Sequence, residues 1–268
     1  MTSLLSTVLV AALTLSATLA ATTARAQAFD AVRLQGGAPG QDIGRAGAIM
    51  LVGSTYQGSD ERRTLVLPVI DYQWANGWFA GVSNGIGYNF SGNRQMPYGL
   101  RLTADLGRQE SRSTALQGLG DVKARVELGG FFNVALAPDI SVTSSLRYGS
   151  GAGRTGLVVD LGAGFSTPVA AQWRLSVGAG ISLANADYMQ SYFGITTTQA
   201  AASGYRPYTA EGGVRNGRVS TTVTYLASPR VAVTAGLSSS TLLGDAADSP
   251  LVRRTSTLNG LLAAAYAF

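Results

Sequence analysis

The residues able to do chemistry in this chain are charges placed on alternating positions. Arg101 and Asp105, then Lys123, Arg125 and Glu127, then Arg147, Asp160 and Arg174 each fall on the polar beat of a segment whose other beat is apolar. Successive side chains of a β-strand point to opposite faces, so these groups share the face turned away from the apolar one. None of them can face lipid, where a midplane arginine costs about 2–4 kcal/mol. Two arrangements follow. The charges form an ion-pair ladder that braces an interior wall, or they line a narrow pore with a mild anion preference, since five cations meet three carboxylates. The ladder is the first reading, because like charges on adjacent strands would otherwise repel.

Other chemistries are excluded by what the chain lacks. It has no histidine and no cysteine in 268 residues, so a Ser-His-Asp triad, a His-liganded zinc, a thiolate nucleophile and a disulfide cannot be built. Asp121 and Glu127 are the carboxylates one could offer for glycan cleavage. Both sit on odd, inward positions, about 20 Å apart at ~3.3 Å per residue, whereas such pairs work at roughly 5–10 Å. The run Gly-Ala-Gly-Arg-Thr-Gly at 151–156 spells a dinucleotide fingerprint but opens no helix, and it reads as a turn. Asp245 and Asp248 lack the ligand density of a calcium loop and read as Asx-turn formers. No catalytic residue, metal site or cofactor is expected. The formal net charge of +5 comes from 20 cations, all arginine except Lys123, and they are scattered. That pattern argues against a nucleic-acid partner.

The elements that position these charges repeat every two residues. In the last stretch, 255–268, Leu258, Leu262, Ala264, Tyr266 and Phe268 fall on one face, opposite Thr257, Asn259, Leu261, Ala263 and Ala267. Twelve segments of strand length follow this rule: 44–54, 63–74, 77–89, 97–108, 121–136, 139–149, 155–167, 171–184, 205–213, 217–228, 230–241 and 255–268. No apolar run beyond residue 26 is long enough for a membrane helix, so a chain with this patterning spans a membrane by closing a barrel. The expected fold is all-β, an antiparallel transmembrane β-barrel of about 12 strands, with 10 as the alternative if the weak segment 205–213 fails. Residues 75–77, 137–139 and 228–229 read as tight turns, as does Arg215-Asn216-Gly217 with its Asn-Gly pair. Residues 1–26 read as a secretory signal peptide, with an apolar core from Leu4 to Ala21 and Ala24-Arg25-Ala26 before the cut. Residues 27–43 form a flexible lead-in, and 44–268 the barrel. The C-terminal Tyr266-x-Phe268 resembles the closing strand of a bacterial outer-membrane barrel, which implies recognition by the barrel assembly machinery and a location in the Gram-negative outer membrane, in contact with its lipid.

Four loop motifs add a family resemblance. They are Tyr56-Gln57-Gly58-Ser59, Gly118-Leu119-Gly120-Asp121, Tyr192-Phe193-Gly194-Ile195 with Ala202-Ser203-Gly204-Tyr205, and Gly244-Asp245-Ala246-Ala247-Asp248-Ser249-Pro250. In this order they resemble the MipA/OmpV family across essentially the whole mature chain. The resemblance implies an outer-membrane scaffold whose partners are a periplasmic lytic transglycosylase and a murein synthase. A narrow anion-preferring channel, and a surface adhesin or antibiotic-response barrel, are the alternatives. Strand parity then puts the loops 109–120 and 184–204 on the periplasmic side and 241–254 outside. Tyr188, Tyr192 and Phe193 would be the aromatic anchors for a periplasmic partner. Thr196-Thr197-Thr198-Gln199 would cap a short helix ending at Gly204.

Overall fold

The computed structural model describes residues 40–268. The expected signal peptide and nearly all of the expected lead-in lie outside the described residues. Twelve antiparallel strands close into a barrel, each paired with its neighbours in sequence. They are β1 (Ile43–Ser54), β2 (Arg62–Gln73), β3 (Trp78–Gly81), β4 (Gly85–Asn89), β5 (Tyr98–Asp105), β6 (Arg125–Ala137), β7 (Ile140–Ser150), β8 (Gly156–Ala170), β9 (Trp173–Ala184), β10 (Gly213–Leu226), β11 (Val231–Leu242) and β12 (Ser256–Ala267). Three short helices stand in the loops: α1 (Ala186–Phe193), α2 (Thr197–Ser203) and α3 (Asp245–Asp248).

The two-residue beat becomes the wall of the barrel. On β9, Trp173, Val177 and Ile181 are exposed on the outside, while Ser182 is buried within. On β12, Leu258, Leu262, Tyr266 and Phe268 face out, and Leu261 and Ala263 face in. Every strand can therefore offer lipid an apolar face, and wherever strands pair the ladder satisfies their backbone groups. One arc of the interior is apolar as well. Ile49, Leu51, Leu65, Leu67 and Val69, from β1 and β2, are buried together, with Leu261 and Ala263 packed against them. The seam closes through reciprocal bonds of 3.0 Å between the main chains of Gly44 and Phe268. Around that end stands a girdle of outward aromatics, with Tyr72 against Trp74 at 4.9 Å, Trp78 against Tyr88 at 5.3 Å and Trp173 against Tyr225 at 4.8 Å. Such rings mark a membrane interface.

The strand total matches expectation, but two of the segments do not. Residues 77–89 are two strands, β3 and β4, folded at 82–84. Residues 205–213 contribute only an isolated bridge from Tyr208 to Ile195 before β10 begins. The two differences cancel in the count and not in direction. Splitting 77–89 reverses every strand between it and 205–213, so the sidedness expected for 109–120 and 184–204 is corrected. The connections 55–61, 106–124, 151–155, 185–212 and 243–255 all lie at one end of the barrel. The chain termini of the barrel and the turns 74–77, 90–97, 138–139, 171–172 and 227–230 lie at the other. Short turns on the periplasmic side and long loops outside are the rule for such barrels, so the long loops crown the outer end.

The same segments show which turn signals were decisive. Asn216-Gly217 lies inside β10, where a bulge between Val214 and Asn216 absorbs the irregularity. The Asn-Gly pairs that do close hairpins are Asn76-Gly77, in the expected turn, and Asn84-Gly85, with Gly77 at φ 96° and Gly85 at φ 76°. Residues 151–156 form the turn from β7 to β8, as expected.

Candidate functional site

Three of the eight charges expected inside form a bridge across neighbouring strands. Arg147 on β7 reaches Glu127 on β6 at 3.3 Å and Asp160 on β8 at 2.9 Å. The register places Gly129 opposite Arg147, and Ser145 opposite Asp160, so the guanidinium sits between the two carboxylates. Thr103 donates to Glu127 at 3.2 Å and Ser182 to Asp160 at 2.5 Å. Glu127 is 1% exposed, and a carboxylate so buried requires this kind of pairing.

The remaining charges take separate places. Arg101 donates to Ser145 at 2.7 Å and lies over the Phe131 ring at 5.8 Å. Asp105 ends β5 just above the bridge and accepts from the Tyr192 hydroxyl. Arg125 faces Asp105 in the strand register. Lys123 and Arg174 are exposed, the first before β6 and the second near the turn end, where it lies 3.5 Å from the Ser166 carbonyl. The expected ladder of eight is thus a compact bridge with outlying members, because Lys123 lies in the long connection before β6 and Arg174 near the turn that opens β9, at opposite rims.

Above the bridge the four loop motifs, far apart in sequence, pack into one cap. Helix α1 starts at Asn185, whose side-chain oxygen accepts from Tyr188 N at 3.1 Å and from Leu157 N at 2.9 Å. This fixes the helix to β8 and turns Tyr188 and Tyr192 downward. The two rings stack at 4.5 Å. Arg215 donates to the Tyr188 hydroxyl at 2.7 Å and lies over its ring at 5.2 Å, while Gln57 donates to the same hydroxyl at 3.2 Å. Arg108 donates to the Tyr192 carbonyl at 3.0 Å. Ser249 donates to the Phe193 carbonyl at 2.6 Å. Tyr56 donates to the Leu251 carbonyl at 3.0 Å, and Gly58 accepts from Arg253 N and Arg254 N.

The rest of the motif residues join the same assembly. Ser59 is buried and its hydroxyl accepts from Glu61 N. Gly118 and Gly120 shape the 106–124 loop with positive φ, and Asp121 accepts from Glu110 N at 2.8 Å. Leu116 and Leu119 from that loop pack with Tyr56, Ile195 and Leu251. Helix α2 carries the expected capping box, Thr196 with Gln199, and ends on Gly204 in the left-handed region. Gly244 precedes α3, in which Asp245 accepts from Glu211 N at 2.7 Å and Asp248 N donates to the Gly244 carbonyl at 3.2 Å. Pro250 follows Ser249 into the buried Leu251.

Burial sets the electrostatics of the cap. It raises the Tyr188 and Tyr192 hydroxyls above the ordinary tyrosine range, the Asp105 carboxylate adding to both, and it pushes Tyr56 up to about 12. Burial lowers Arg108 from the usual guanidinium value. Tyr192 and Phe193, at 7% and 0% exposed, are cap core and not aromatic anchors offered to a partner. Sequence reasoning missed Arg108, Arg215 and Asn185. Arg215-Asn216-Gly217 reads as a turn in sequence, and the one signal of the interior role is an arginine beside an inward beat.

The lumen is divided by these layers. On the turn side, a cavity of about 1100 Å³ is lined by Arg45, Asp71, Arg94, Arg101, Asp160 and Arg218. On the loop side, a cavity of about 90 Å³ lies between the bridge and the tyrosines. Among the described residues no cluster of three or more metal-ligating side chains occurs. The barrel is a vestibule open toward its short turns and roofed at its outer end.

Comparison with known proteins gives a family and a set of similar barrels. The family model described as "MltA-interacting protein MipA" matches residues 46–268. No curated protein matches the chain. Among solved structures, the NanC porin is similar over 82% of this chain and 98% of its own, at 8% identity and a TM-score of 0.47. The KdgM porin covers 84% and 99% at 8% identity and a TM-score of 0.45. The outer membrane channel DcaP of Acinetobacter baumannii covers 85% and 96% at 8% identity and a TM-score of 0.41.

Proposed function

The chain belongs to the MltA-interacting protein MipA family, and from that premise we propose that it is a non-enzymatic outer-membrane scaffold that holds murein enzymes at its periplasmic mouth. The partners are a lytic transglycosylase, which the family description supports, and a murein synthase working beside it. The observation that carries this reading is the asymmetry of the lumen. A conducting pore needs a path through both ends, whereas here the outer end is filled by a hydrogen-bonded, apolar cap and the inner end stands open. What faces the periplasm is a rim of short turns bearing Arg94, Asp139, Arg174 and Arg230, with the vestibule behind them.

The test pairs capture with conductance on purified barrel in nanodiscs and planar bilayers. The barrel should retain a purified periplasmic lytic transglycosylase, and Arg94→Glu with Arg174→Glu should weaken retention at least tenfold while the barrel still folds. Planar bilayers should show no steady current. A steady current whose ion preference reverses in Arg125→Glu with Arg147→Glu, together with no retained enzyme, would sink the scaffold and leave the anion-preferring channel.

A further inference from the structure

The barrel wall carries an opening on its outer half. Strands β3 and β4 are too short to reach the loop end: β2 pairs with β3 only from Asp71 to Gln73, and β5 pairs with β4 only from Gly99 to Leu102. Above the turn at 82–84, residues 62–69 of β2 therefore have a strand on one side only, along roughly 25 Å of edge at ~3.3 Å per residue. Across the opening stand Thr103, Ala104 and Asp105, which pair only with β6.

The early stop is built into the sequence. The Asp71 carboxylate accepts from Ser83 N at 3.0 Å and from the Ser83 hydroxyl at 2.8 Å, which clasps the hairpin tip. A Cβ on Gly81 would lie 1.9 Å from Asp71 Oδ1, and Gly85 holds φ 76° with the Leu102 carbonyl 2.0 Å from where its Cβ would be. Only glycine fits at either position.

The free edge is also marked as one. Ile70 accepts from Val82 N at 3.1 Å, so the even residues of β2 turn their main-chain groups toward the opening. Pro68 is one of these, and it has no N–H to offer there. Proline at an edge position discourages another strand from pairing. A bare edge facing hydrocarbon is not tolerated either, unless it borders a cavity or is covered.

The chemistry on both sides suits an amphiphile. Outside, Val66, Ile70, Leu100 and Leu102 are exposed and apolar. Inside, Leu65, Leu67 and Val69 of the same strand belong to the apolar arc of an otherwise polar lumen. At the top of the opening Arg62 is exposed and Arg63 half-buried. Ser113 donates to Glu61 at 3.0 Å, which brings the 106–124 loop, with Arg112, alongside them. We propose that the opening between β2 and β5 is a lateral binding site for an anionic, phosphate-bearing lipid of the outer leaflet. Its acyl chain lies in the opening against Ala104 and the β2 edge, and its phosphate meets Arg62 and Arg63.

The experiment uses the wild-type chain in nanodiscs containing phosphatidylglycerol with a photoactivatable group at mid-chain, and maps labelled residues by peptide mass spectrometry. Label is expected on inward Leu65 or Leu67, besides outward Val66, Ile70 and Ala104. Arg62→Gln with Arg63→Gln should reduce the inward label at least fivefold and leave the outward label unchanged. Label confined to outward residues would overturn the site. Inward label of equal strength from phosphatidylcholine, or undiminished in the double variant, would overturn the assignment of an anionic headgroup.

Discussion

The Tyr192 hydroxyl donates to the Asp105 carboxylate across 87 residues of sequence, tying the helix that roofs the barrel to the strand that carries the interior charges. This contact makes the cap and the lumen one hydrogen-bonded body. Tyr192→Phe removes a buried donor to a charged acceptor, which is worth about 1.5–3 kcal/mol. The expected outcome is a loss of that size in guanidinium unfolding of the cap, followed by tyrosine fluorescence. Asp105→Asn in the Tyr192→Phe background should add less than its single effect, because the two residues share one interaction.

The bridge responds differently from a surface ion pair. Arg147→Met leaves Glu127 and Asp160 facing each other inside the barrel without their cation. Stranding buried charge in this way costs about 3–5 kcal/mol. Replacing all three residues with Met, Leu and Val of similar bulk should recover most of that loss, as measured by the guanidinium midpoint of the folded barrel in detergent. Equal destabilisation in the single and the triple variant would refute the brace.

Alkali should loosen the cap. Tyr56 has an ordinary value of 10.0 and is raised to about 12 by burial first and by the neighbouring Tyr205 next. A raised folded value means that the neutral form is favoured by the fold. The stabilisation is therefore complete below pH 10, and it declines as the pH climbs toward 12 and the phenol ionises. Protease cleavage within 106–124 and 243–255 should rise across that window, and Tyr56→Phe should remove the part of the rise that comes from this residue.

The seam can be tested from both strands. Deleting Phe268 removes the reciprocal bonds to Gly44 and the terminal ring of the girdle, so the yield of heat-modifiable folded barrel should fall. Gly44→Pro should do likewise, because it removes the main-chain N–H that Gly44 donates to the Phe268 carbonyl. A normal folded yield in both variants would show that the closing strand needs neither.

Loop sidedness gives a direct readout on whole cells. Protease sites inserted at 109–120 and at 243–254 should both be cut from outside, since both loops crown the same end. A site inserted in the 227–230 turn should be spared. Sparing of 109–120 would restore the opposite orientation for the first half of the chain.

Period-two alternation and the aromatic C-terminal strand determined by themselves that this chain is a membrane β-barrel, and the absence of histidine and cysteine that no Ser-His-Asp triad, His-liganded zinc or thiolate site can be built in it. These are local properties: each residue's face follows from its parity, whatever its neighbours do. Parity also told that Arg147, Glu127 and Asp160 point inward. Only the tertiary structure decided that Arg147 bridges the other two while Lys123 and Arg174 stand apart, because that depends on strand tilt and register. It likewise decided that 82–84 turns back whereas 216–217 runs on, since an Asn-Gly pair favours a turn and pairing partners can override it. One reversed strand moved two long loops to the other face of the membrane. Tyr192 and Phe193 show the same limit, for an aromatic in a polar loop becomes an anchor or a core residue according to what the other loops bring to it. Here Arg108 and Ser249 arrive at the Tyr192 and Phe193 carbonyls from two separate connections, and Arg215 of β10 at the neighbouring Tyr188, and long-range packing of that kind leaves no trace in local spacing.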